Sequence, residues 1–142
     1  MDQNTEFLNY IYQNSEMGIN TIKQLTKVVE DPSFSTQLQS QLKEYQSINE
    51  TAANSLHKDG SSEKSIPKML EVSAYLSIGR KTLLNHSTEH IAEMMIQGST
   101  MGIIDVSKNL KKYPDAAEET RLLANKLLKT EQSNVDQLRN FL

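Results

Sequence analysis

Residues 4–32, NTEFLNYIYQNSEMGINTIKQLTKVVEDP, decide the fold class. Within them Leu8, Ile11, Ser15, Gly18, Ile22, Leu25 and Val29 recur at alternating steps of three and four. That is the spacing of one face of an α-helix in a bundle, with the small residues Ser15 and Gly18 set into it. Asp31-Pro32 closes the run, because a residue before proline is pushed out of helical conformation. The spacing predicts a helix over 4–30. Asp31 or Ser33 can cap the next helix, with Pro32 tolerated in its first turn.

The pattern continues outward. Phe34, Leu38, Leu42, Tyr45, Ile48, Ala52 and Leu56 form a second stripe, which predicts a helix over 33–57. Lys58-Asp59-Gly60-Ser61-Ser62 ends it with a glycine and a polar loop. A less regular piece over 66–84 opens at Ile66-Pro67 and carries Met69, Val72, Leu76, Gly79 and Leu83. Asn85-His86-Ser87-Thr88 then supplies caps for a helix over 87–113, which Tyr113-Pro114-Asp115 stops. The last helix spans 115–142, with the seam Ala117, Ala124, Leu128, Glu131, Val135, Leu138 and Leu142.

Composition bounds the function. A chain of 142 residues fits one domain, 1–142, with one core. Fifteen basic and eighteen acidic residues are mixed along it for a net charge of −3. No basic cluster suits a phosphate backbone, which points away from nucleic acid. The absence of cysteine removes disulfides, thiolate nucleophiles and cysteine-based metal sites. No secretory signal opens the chain and no stretch is apolar enough for a membrane span, so the expected location is the cytoplasm.

The main helices are of similar length, about 40 Å at 1.5 Å per residue. Tight turns at Pro32 and Pro114 make two antiparallel hairpins. The segment between the hairpins is long enough to traverse the bundle. The expected fold is therefore all-α: a ferritin-like four-helix bundle of two αα-hairpins joined by a long crossover with a short extra helix. A fused helix over 67–112 is the competing arrangement.

Two stretches carry a family resemblance. One is Asn14-Ser15-Glu16-Met17-Gly18-Ile19 followed by Val29-Glu30-Asp31-Pro32. The other is Ala92-Glu93 followed by Gln97-Gly98. In layout and in these residues the chain resembles small ferritin-like bacterial proteins of unknown function, many of them associated with stress or spores. The resemblance implies an acidic or polar residue ahead of a mid-helix glycine, followed by an Asp-Pro turn.

A ferritin-like di-iron site needs one Glu from each of two helices and Glu-x-x-His from each of the other two. Reflection through the Pro32 turn puts Glu16 level with Ile48, with Glu50 within a turn. Reflection through Pro114 puts Gln97 level with Glu131. The motifs would be Glu50-x-x-Ala53 and Glu131-x-x-Asn134, and both lack the histidine. Gln97 stands where a Glu would serve, unless Glu93 acts one turn earlier. The candidate metal ligands are therefore Glu16, Glu50, Glu93 and Glu131, with iron as the alternative to no cofactor. Glu131 falls on an apolar seam, an unusual place for a carboxylate. Its plainer reading is a buried group bonded to Ser15, Gln97, Thr100 or a tyrosine hydroxyl. His86 and His90, with Glu89 or Glu93 near, suit either a solvent rim or a surface metal.

No nucleophile elbow and no glycine-rich phosphate loop is present. Gly98 and Gly102, four apart, allow close helix approach, either inside the bundle or against a second copy. Ile91, Met94, Met95, Ile96, Met101, Ile103 and Ile104 make an apolar surface wider than one seam requires. Part suits the crossover, and part suits a second subunit or a protein partner bound through Met94, Met95, Met101, Ile103 and Ile104. The functional expectation is a non-enzymatic structural or protein-interaction bundle with degenerate metal ligands. The alternative is a divergent carboxylate-bridged iron protein with oxidation or storage activity.

Overall fold

The structure is a computed structural model that describes residues 2–61, 63 and 87–142. Among the described residues it is all-helical: α1 Gln3–Leu25, α2 Pro32–Lys58, α3 Thr88–Lys112, α4 Glu118–Leu138 and a closing 3-10 turn Arg139–Phe141. The expected piece over 66–84 lies outside the described residues.

The helix starts follow from side-chain caps. Asp2 Oδ1 accepts from the Thr5 N–H at 2.7 Å to open α1. Asp31 Oδ1 accepts from the Phe34 N–H at 3.0 Å to open α2, with Pro32 directly behind it. Ser87 Oγ accepts from the His90 N–H, and Ser87 itself is extended at ψ 146°. That extended residue breaks any fused helix through position 87. Helix α1 stops at Leu25, earlier than its apolar spacing suggests. Thr26, Lys27 and Val28 follow as a turn, where Val28 N–H reaches back only to Leu25 O. Branched side chains weaken the helix there, and Asp31 must be extended before its proline.

Helix α4 begins at Glu118, three residues later than its seam suggests, and its cap comes from another helix. Ala117 has no side chain able to cap. Asn4 Oδ1, from the first turn of α1, accepts from the Ala117 N–H at 3.0 Å and from the Thr120 hydroxyl at 2.6 Å. Gln3 Oε1 accepts from the Asp115 N–H beside it. Arg121 reaches the other way, donating through Nη1 to the Leu110 and Tyr113 carbonyls at the end of α3. A cation on orphan carbonyls at a helix C-terminus is favourable on both hydrogen-bonding and dipole grounds.

These contacts fix the helix directions. The start of α1 meets the start of α4 through Asn4, so the two run parallel. Phe7 stacks near Tyr113, at the end of α3, with ring centroids 5.4 Å apart. Phe34, at the start of α2, packs on Phe141, past the end of α4, at 4.8 Å. Each hairpin is antiparallel, α2 lies beside α4, α1 touches α3, and α2 and α3 run parallel. Asp59 and Ser87 therefore stand at opposite ends of the bundle.

The core is continuous from Phe7 and Tyr113 at one end to Leu25, Phe34 and Leu38 at the other. Each fully buried Leu, Ile or Phe contributes about 1.5–3 kcal/mol of transfer free energy. The stripe on α2 is buried as its spacing suggests, save that Leu42 is half-buried. On α4 the buried line is Thr120, Leu123, Ala124, Leu127, Glu131, Asn134 and Leu138, while Leu128 and Val135 flank it and Ala117 is exposed. No helix among the described residues is long and apolar enough to cross a membrane.

Candidate functional site

Midway along the bundle the core turns polar. Glu131 on α4 is 3 % exposed, with Tyr45 from α2 and Ser99 and Gly102 from α3 also buried. The Tyr45 hydroxyl donates to Glu131 Oε1 at 2.8 Å and accepts from Asn134 Nδ2 at 3.2 Å. Asn134 is one helical turn from Glu131, at the third position beyond it, where a Glu-x-x-His motif would place its imidazole. Here it holds the tyrosine instead. On the α1 side Ser15 Oγ donates to the Ile11 carbonyl, and Asn49 Nδ2 donates to the Tyr12 carbonyl and to Ser15 Oγ.

Two glycines make room for this layer. A Cβ on Gly18 would lie 2.8 Å from the Tyr45 ring. A Cβ on Gly102 would lie 3.0 Å from the Glu131 carboxyl carbon. The two glycines of α3 thus differ: Gly102 faces the interior carboxylate, whereas Gly98 is exposed and opens onto free space.

Burial dominates the electrostatics. It pushes the Glu131 carboxyl up to about 7, while the Tyr45 and Ser99 hydroxyls hold the shift back. Glu131 Oε2 is buried with no hydrogen-bond partner among the described residues. Burial raises the Tyr45 hydroxyl well above the ordinary phenol range, and the neighbouring carboxylate adds to it. Tyr45 is therefore a neutral donor at any physiological pH.

The other sequence candidates stand elsewhere. Glu50 and Glu93 are exposed and Glu16 is half-buried; only Glu131 is in the core. Glu50 lies two positions past Ile48, which turns it away from the buried stripe. Glu93 follows the buried pair Ile91 and Ala92 and points outward, and Gln97 and Thr100 are exposed as well. Among the described residues no three His, Asp or Glu side chains stand together in a way that could hold a metal ion. As placed, Glu16, Glu50 and Glu93 do not converge with Glu131. His86 lies outside the described residues. His90 is half-buried, with Nε2 enclosed and unpartnered among the described residues. His57 and Glu63 pair at the far end of α2.

No protein-family model, curated protein or solved structure matches the chain. The site's chemistry therefore rests on its own geometry. A lone carboxylate, one neutral phenol and one carboxamide can carry a proton near neutral pH and tie helices together.

Spacing alone pointed to Glu131 through its place on an apolar seam. Tyr45 was legible as a core residue, but its hydroxyl partner was not. Gln41 was missed. It is 2 % exposed on α2, and the only sign in the sequence is its place one turn before Tyr45.

Proposed function

We propose that this chain is a non-enzymatic bundle of ferritin-like frame whose interior carboxylate serves the fold and not a metal. Its work is to bind protein, a second copy or a partner, through α3. The parallel course of α2 and α3, with Asp59 and Ser87 at opposite ends, supports the frame. The observation that carries the reading is the environment of Glu131. Its one bonded oxygen is held by Tyr45, with Asn134 in the place a ligating histidine would take. On α3, Met101 is 56 % and Ile104 41 % exposed, which gives the helix an apolar outer edge. Met94, Met95 and Ile103 beside them are half-buried.

The test is metal content after anaerobic Fe(II) loading and desalting, with Glu131→Ala alongside. The reading expects no iron retained above the variant's background while the wild type stays helical. Near-stoichiometric iron that disappears in Glu131→Ala would replace it with the carboxylate-bridged iron protein.

A further inference from the structure

A second surface lies between α2 and α4, away from α3's exposed edge. It is an open groove of about 670 Å³. The walls carry five carboxamides: Gln37, Gln41, Asn125, Asn134 and Gln137. Ser40, Thr130 and Ser133 add hydroxyls, and Glu44, Lys126 and Lys129 add charge with a surplus of one cation. No aromatic side chain is among the lining residues, so the ring stacking on which sugar binding relies is missing.

Gln41 is the singular residue. It is 2 % exposed, and both Nε2 and Oε1 are enclosed with no hydrogen-bond partner among the described residues. A buried donor and acceptor left unpaired are each costly, and native proteins rarely tolerate them. A carboxamide carries an NH2 donor group and a carbonyl acceptor side by side in a single plane. In an extended strand the N–H and C=O of one residue face the same side and can answer both at once. Asn134, on the facing wall, is anchored through Tyr45 and fixes the groove's inner edge. The lining on α4 runs from Leu122 to Gln137, roughly 22 Å of helix. An extended peptide of about six or seven residues spans that length.

We propose that this groove binds an extended polypeptide segment, with the Gln41 carboxamide turning to pair with the backbone N–H and C=O of one residue of the ligand. The two lysines favour a segment that carries an acidic side chain. The groove is independent of α3, so this binding stands whether or not α3 is an interface.

The probe is a blocked hexapeptide of alanine with one central aspartate, titrated into the full chain labelled with ¹⁵N. The side-chain NH₂ signals of Gln41 and Asn134 should shift saturably. Gln41→Leu should weaken binding roughly ten-fold, the worth of a lost hydrogen-bond pair. The same variant should be at least as stable as wild type, because it removes two orphaned atoms. Ile104→Lys should leave the peptide affinity unchanged. The proposal is overturned by unsaturable or absent shifts, by equal affinity in Gln41→Leu, or by loss of stability in that variant. Binding of maltotriose in place of the peptide would also overturn it.

Discussion

The Tyr45 hydroxyl meets Glu131 Oε1 at 2.8 Å, and this bond joins residues 86 positions apart in the chain. It links the first hairpin to the second at mid-height, within the polar layer of the core. Around it stand a glycine notch for each partner, Gly18 for the ring and Gly102 for the carboxylate.

Tyr45→Phe keeps the ring and removes only the donor. Glu131 Oε1 then loses its partner inside the core, and the expected cost is about 1–3 kcal/mol in urea unfolding. The cost should be greater at pH 8 than at pH 5, because the hydroxyl stabilises the charged carboxylate most. An equal loss at both pH values would mean that the bond does not depend on the charge of Glu131.

Gly18→Ala tests the ring notch. Alanine is the better helix former by about 1 kcal/mol. The added Cβ, however, would lie 2.8 Å from a buried ring with little room to move. Overpacking of this kind costs about 1–3 kcal/mol, so the net change should be destabilising. Thermal unfolding should show a lower midpoint for Gly18→Ala, while Gly98→Ala, which opens onto free space, should raise it slightly.

Much of this was legible from periodicity. The stripe from Phe34 to Leu56 reads directly as the buried face of α2, and Asp31-Pro32 reads directly as its start. What periodicity could not show was rotation of a helix within its own stripe. On α4, Leu127 and Asn134 are buried where Leu128 and Val135 were expected, a turn of one residue. Apolar residues stand on both sides of that line, so spacing alone could not choose. The cap on α4 was hidden for another reason: its acceptor, Asn4, lies 113 residues from Ala117. Glu131 was visible as a carboxylate on a seam. The position of Glu50 and Glu93 on the outside depended on helix phase, which register counting through a turn does not fix.

Asn4→Ala should uncouple the first turn of α1 from the start of α4. Three hydrogen bonds go with it: those its Oδ1 accepts from the Ala117 N–H and the Thr120 hydroxyl, and a long one its Nδ2 donates to Asp59 Oδ2. The expected loss is about 1–2 kcal/mol, the usual scale for a cap. Amide hydrogen exchange should quicken at residues 117–121 more than at the middle of α4. Uniform quickening along α4 would contradict a local capping role.

Met101→Lys and Ile104→Lys place charge on the exposed edge of α3. If that edge joins two copies, light scattering should show the mass falling to that of a single 16.1 kDa chain while helicity is kept. A wild-type chain that is already monomeric at high micromolar concentration would leave a different protein as the partner of α3.

The most direct test of Glu131 as a buried carboxyl, proton-bearing near neutral pH and held by Tyr45, is urea unfolding of wild type and Glu131→Gln from pH 4 to pH 8. The folded carboxyl titrates at about 7 and its ordinary value is 4.5. Between those values the folded state holds a proton that the unfolded chain has lost, so stability falls as pH rises through this window. The full difference is roughly 3 kcal/mol at 1.36 kcal/mol per pH unit. Glu131→Gln is neutral throughout and still accepts from Tyr45. It should match wild type near pH 4, lose the slope, and exceed wild type by up to roughly 3 kcal/mol at pH 8. A variant that is less stable than wild type at pH 8, or that keeps the slope, would contradict the account.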